Sequence, residues 1–180
     1  MLHQWLPAWL GRKAQSRSQA KELYGAVVTA AREPALYARF GVPDTPEGRY
    51  GMVVLHLALL LERLRGEGPR LEELARLVAE AFVTDMDDCL RELGVGDLSV
   101  PKKVKRLAAG LYERSAAYRA ALTVPDDGAL KAGLEAAIPG LRDSAGLSGH
   151  VGCIARHLSR LEADALGSGR LSFPPVAGPA

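Results

Sequence analysis

Asp85, Asp87 and Asp88, in the run DMDD, put three carboxylates within one turn of a prospective helix. Adjacent carboxylates attract hard divalent cations, so a metal cluster is the first chemistry to test. Helical spacing argues against it. Asp85 falls in the middle of the apolar stripe Leu71, Leu74, Val78, Phe82 and Cys89, Asp88 lies at its edge, and Asp87 points away. A carboxylate on a core face is costly unless it is paired or hydrogen-bonded, so the pattern predicts a cationic partner rather than a metal. In the preceding segment Arg49, His56 and Arg63 recur every seven residues as one polar stripe on an otherwise apolar rod. His56 or Arg49 is the expected partner of Asp85.

A second cluster, His150, Cys153 and His157, flanks the apolar stripe of Leu147, Val151, Ile154, Leu158 and Leu161. Neighbouring members can share a metal, but about 10 Å of helix rise separates the two histidines. No other His/Cys group completes a closed site, and the cluster reads as the polar flank of a packing helix. The sequence contains no nucleophile elbow, phosphate-binding loop, dinucleotide fingerprint or HExxH motif. The residues therefore assign no catalytic group, metal or cofactor, and the protein is expected not to be an enzyme.

Two stretches point instead to surfaces. Lys102, Lys103, Lys105 and Arg106 fall mainly opposite the core positions Val104, Leu107, Ala108, Leu111, Tyr118 and Leu122. Four cations in five residues bind phosphate electrostatically, on RNA or on lipid headgroups, although solvated helix charge is the commoner origin of such a run. At the N-terminus, Leu2, Trp5, Leu6, Trp9 and Leu10 share helical spacing and lead into Arg12, Lys13 and Arg17. Tryptophan and leucine beside cations suit a bilayer interface or a groove on a partner. The alternative is docking on the protein's own domain, and Pro7 interrupts so short a helix.

The elements that must position these residues are helical almost throughout, with no surviving strand pattern. Proline near helix starts and glycine after helix ends delimit segments from about Ser16 to Arg32, Pro34 to Phe40, Pro46 to Arg65, Pro69 to Leu93, Pro101 to Leu122, Asp126 to Ile138 and Ser144 to Leu166. The expected fold is all-α: one compact bundle of about six or seven helices over 16–166, an N-terminal amphipathic segment over 1–15, and a flexible Gly/Pro tail over 167–180. A hydrophobic content of 48% with 24% charged residues places the chain among globular proteins. Its net charge of +2 is too small to announce a nucleic-acid binder, so any basic contact must be local, and DNA is not an expected partner. Two widely separated cysteines, Cys89 and Cys153, read as free thiols in a reducing compartment. The most apolar run, Met52 to Leu61, is too short to span a bilayer, and the N-terminus does not read as a secretory signal.

Several long motifs carry a family resemblance. LYGAVVTAAR from Leu23, LYARFGVPDTPEGRYGMVVLHLALLLERL from Leu36, DMDDCLRELGVGDLSVPKKVK from Asp85 and the closing AYRAAL resemble the ubiquinol–cytochrome c chaperone family. That family includes the mitochondrial assembly factors of complex III and their alphaproteobacterial relatives. The resemblance implies an all-helical, non-catalytic assembly chaperone that binds newly made cytochrome b. It also implies work near the ribosomal exit region or the inner-membrane surface, from a cytoplasmic and peripheral location. Client or partner contacts are then expected among Trp5, Trp9, Arg49, His56, Asp85, Asp88, Lys102, Lys103, Lys105 and Arg106. Two other classes remain open: a helical regulatory protein with a soluble partner, and an isoprenoid- or haem-handling enzyme with a pocket lined by Asp85, Asp88 or His56.

Overall fold

The helix signals place eight helices among residues 5–176, the part of the chain that the computed structural model describes, with side chains from residue 11 onward. They are α1 (Trp5–Ala31), α2 (Pro34–Phe40), α3 (Pro46–Leu64), α4 (Pro69–Glu92), α5 (Val100–Leu122), α6 (Gly128–Ala137), α7 (Ser144–Ser159) and the five-residue α8 (Ala163–Gly167). No strand occurs among the described residues, and the all-α expectation holds. Proline opens α2, α3 and α4 at positions whose N–H groups have no intrahelical acceptor. Thr45 caps α3 by accepting from the Gly48 N–H at 3.1 Å, and Asp143 caps α7 by accepting from Gly146 at 2.8 Å.

α3 is the central rod. Its residues from Met52 to Leu60 are all buried, His56 included, with α1, α4, α5 and α7 packed around it. A helix apolar on every side can only be stable in such a position. α1 and α4 run in parallel: Lys13 lies beside Glu73, and about three turns later Tyr24 reaches Asp85. α6 bridges α5 and α7, and α2 lies against α7.

Three expectations about element ends are corrected. α1 runs unbroken across the expected boundary at residue 15, because Pro7 sits in its first turn, where no hydrogen bond is lost. The Trp5 and Trp9 side chains, with Leu2, Leu6 and Leu10, lie outside the described residues. The last long helix stops at Ser159 and resumes as α8, because Arg63 draws the Leu158 and Leu161 carbonyls into its own hydrogen bonds at 2.9 and 2.7 Å. Through Val176, the tail expected to be flexible is laid on the core instead, with Leu171, Phe173 and Val176 half-buried against it.

Candidate functional site

The GVPDTPEGRY segment is a packed turn, not a site of exposed chemistry. Gly41 ends α2 at φ 63°, a conformation that favours glycine, and the Asp143 N–H donates to the Phe40 carbonyl at 2.9 Å. A Cβ on Gly48 would collide with the Pro43 carbonyl, and one on Gly51 would press on Ile138. These glycines let the turn and the end of α6 close on the start of α3. Arg49 therefore sits on the outside of α3, in an exposed ion pair with Asp44 at 2.6 Å. It does not reach Asp85.

Nor does His56. Its ring is 1% exposed, and Nδ1 lies 2.9 Å from the Met52 carbonyl. A carbonyl only accepts, so Nδ1 carries the proton and Nε2 is left as an acceptor. Burial pushes its pKa down to about 4, opposed by the Met52 hydrogen bond and assisted by His150, so the imidazole is neutral at pH 7. The edge of Phe173 packs against it, with centroids 5.2 Å apart. The third member of the stripe, Arg63, is committed to Glu67 and to the two carbonyls at the α7–α8 bend. The expected cationic partner of Asp85 is thus replaced by a neutral donor. Tyr24 on α1 donates its hydroxyl to Asp85 Oδ2 at 2.6 Å. Desolvation and this bond raise the Tyr24 pKa, and desolvation and Asp85 raise that of Cys89. Spacing within α3 and α4 shows that Asp85 needs a partner, but not that a tyrosine on a third helix supplies it.

The bond makes Asp85 a positioning residue between α1 and α4. Replacing Tyr24 with Phe is expected to cost about 1–2 kcal/mol at neutral pH, the range for losing a hydrogen bond to a charged group that is only half-buried. Urea unfolding of the two proteins checks it; equal midpoints with equal slopes would show that solvent already satisfies the carboxylate.

The remaining candidates do not converge. Asp88 is exposed, and Asp87 pairs with Arg91 at 2.6 Å. Asp88 and Glu92 act on Cys89 together with Arg32 from the end of α1. In the α7 cluster, His150 packs on Phe40 with centroids 5.7 Å apart, the exposed Cys153 meets Arg156, and His157 Nε2 lies 3.2 Å from the Ser172 hydroxyl. Among the described residues no three His, Cys, Asp or Glu side chains stand close enough to hold a metal. Lys102, Lys103, Lys105 and Arg106 are all exposed on α5, a separate surface from the Tyr24–Asp85 bond.

Two clefts border α3. One, of about 450 Å³, lies beneath the docked tail between α1, α3 and α7, with His56, His150 and Phe173 in its walls. The other, of about 340 Å³, is a groove along α3, α4 and α5 with an apolar floor of Ala58, Leu61, Ala75 and Ala79 and the exposed Tyr112 at its side. The apolar run that begins at Met52, too short to span a bilayer, is the core of the domain through Leu60. No helix among the described residues is long and apolar enough to cross a membrane.

Comparison with known proteins supplies what the geometry leaves open. The profile of the ubiquinol–cytochrome C chaperone family matches residues 38–173. The crystal structure of the Cbp3 homolog from Brucella abortus superposes with a TM-score of 0.84 at 40% sequence identity, covering 95% of this chain and 97% of that one. No curated protein matches.

Proposed function

Since the chain belongs to the ubiquinol–cytochrome C chaperone family, a family of complex III assembly chaperones, we propose that it binds newly made cytochrome b and holds it for assembly. The observation that carries this reading is the 40% identity sustained over 95% of the chain with a Cbp3 homolog. The region that matches the family profile includes α3 and three of the helices packed on it, α4, α5 and α7, along with the α4–α5 turn and its basic run.

The physics of the domain agrees with a binding role. Three of the titratable candidates are engaged one by one in separate structural contacts: Asp85 with Tyr24, Arg49 with Asp44, and His56 with Met52 and Phe173. A non-catalytic assembly factor needs no convergent set of acids, bases and nucleophiles. We place its work at the cytoplasmic face of the inner membrane, with the ribosomal exit region as the point where the client is first met. Client and partner contacts are assigned to the surface candidates, Lys102, Lys103, Lys105 and Arg106 foremost, with Trp5 and Trp9 at the start of α1. Arg49 and Asp88 are open to a partner, whereas His56 and Asp85 act from within as supports of the packing.

Deleting the gene is expected to lower assembled complex III and the abundance of cytochrome b together, because an unprotected membrane subunit is degraded or aggregates. Spectroscopic quantification of cytochrome b with native electrophoresis of membranes checks this. Normal levels of both in the deletion would overturn the reading.

A further inference from the structure

The α4–α5 turn brings unshielded apolar side chains and unpaired cations to one place. α4 ends in a Schellman turn: the Val95 N–H donates to the Leu90 carbonyl at 3.0 Å, the Gly94 N–H to Arg91 at 2.9 Å, and Gly94 adopts φ 75°. Val95 is half-buried by this turn, while Leu93 is left 71% exposed and Leu98 100% exposed. Directly beyond, Lys102, Lys103, Lys105 and Arg106 occupy the side of α5 opposite the buried Val100, Val104 and Leu111. None of the four has an ion-pair partner among the described residues. On the α4 side of the turn, Asp87 and Asp97 share the guanidinium of Arg91, at 2.6 and 2.5 Å. Asp88 and Glu92 act on Cys89, which also feels Arg32 at the end of α1. The four cations thus form a basic patch on the outer side of α5 with no carboxylate paired to it among the described residues.

We propose that the α4–α5 turn docks on an anionic lipid bilayer, with Leu93 and Leu98 entering the boundary between headgroups and acyl chains and the four cations engaging lipid phosphates around them. Both halves of the surface are then used. An RNA backbone would satisfy the cations and leave Leu98 in water, and an apolar client helix would cover the leucines and leave the cations without counter-charges. A bilayer interface presents negative phosphates immediately above hydrocarbon, which matches the order of groups on this turn. The proposal deepens the membrane-side placement given above and rests on that reading for its setting. The contact itself is a property of the purified protein. It also points the rest of the bundle away from the lipid, since the start of α1 lies beside the start of α4, at the end remote from this turn.

The test is co-flotation of the full chain with vesicles of phosphatidylcholine, alone or mixed with phosphatidylglycerol. The native protein is expected to float only with the mixed vesicles, and less as salt rises. Changing Lys102, Lys103, Lys105 and Arg106 together to Ala is expected to weaken that partitioning at least about 100-fold. Leu98→Ser alone is expected to weaken it about tenfold. All five positions are solvent-facing, so both variants should keep the native circular dichroism and thermal midpoint. Failure of the native protein to bind the mixed vesicles would overturn the proposal, as would Leu98→Ser binding as well as the native protein. Binding of single-stranded RNA, abolished by the fourfold variant and without vesicle binding, would assign the patch to nucleic acid instead. Normal complex III in the deletion strain together with vesicle binding would remove the assembly role and leave this surface standing.

Discussion

Phe82→Ala is expected to lower the unfolding free energy by about 3–5 kcal/mol, the range for removing a buried aromatic ring. Phe82 is fully buried on α4, and Tyr24 of α1 and Tyr50 of α3 each pack on it with centroids 6.4 Å apart. The ring thus joins three helices at one point, just beneath the Tyr24–Asp85 bond. Its loss removes the apolar transfer free energy and leaves a cavity that two tyrosines cannot fill, because both hydroxyls are held: Tyr24 by Asp85 and Tyr50 by the Leu107 carbonyl. A small domain is stable by about 5–15 kcal/mol in total, so the variant should unfold at a much lower urea midpoint. Phe82→Leu, which keeps most of the volume, should lose well under half as much. Equal losses for the two variants would show that the aromatic contacts, not the filled volume, carry the stability.

Phe82 also shows which parts of the fold are legible in sequence. Its place in the stripe with Leu71, Leu74 and Val78 follows from helical periodicity, and all four are buried. Proline and glycine punctuation sets α2, α3 and α4 within a residue or so, since these residues act through local backbone geometry. Misreadings arise where tertiary contacts decide. Arg63 breaks the last helix by taking the Leu158 and Leu161 carbonyls, contacts made across more than ninety positions of the chain. Leu171, Phe173 and Val176 have no periodicity because they lie in an extended segment, where single apolar side chains fill gaps between helices already built. Gly/Pro content then resembles that of a free tail.

The site divides in the same way. That Asp85 must be satisfied is legible, because a carboxylate in an apolar stripe has few affordable states. The donor is not, since the wheel of one helix carries no information on which neighbour abuts it. Arg49, His56 and Arg63 recur every seven residues, yet they finish in three separate environments because α3 is surrounded: one end meets the Asp44 turn, the middle meets the tail, and the far end meets the α7–α8 bend. The exposed cations of α5 are the reverse case. Their spacing opposite an apolar face places them on the surface correctly, and only the structure shows Leu93 and Leu98 uncovered beside them.

His56 should make the protein acid-sensitive through one buried ring. The folded imidazole has a pKa of about 4, against 6.5 when unfolded, with burial as the main cause. Between those values the unfolded chain binds a proton that the folded chain refuses, so stability must rise with pH across that window. It is complete above about pH 6.5 and is lost progressively as pH falls toward 4, by on the order of 3 kcal/mol. Carboxylates and the half-buried His150, whose pKa is also pushed down by burial, titrate nearby, so the native profile alone does not isolate His56. His56→Gln, which cannot be charged, separates them. Subtracting its unfolding free energy from that of the native protein at each pH removes the shared titrations, and the difference should fall on acidification through this window. The offset between the curves also contains the cost of repacking Gln against Met52 and Phe173, but that cost does not change with pH and leaves the slope intact. Parallel curves from pH 7 to 4 would mean that the ring is protonated in the folded state without penalty. That could happen only if water reached it, and the first way in is beneath Phe173, where the covering tail has no helix to hold it.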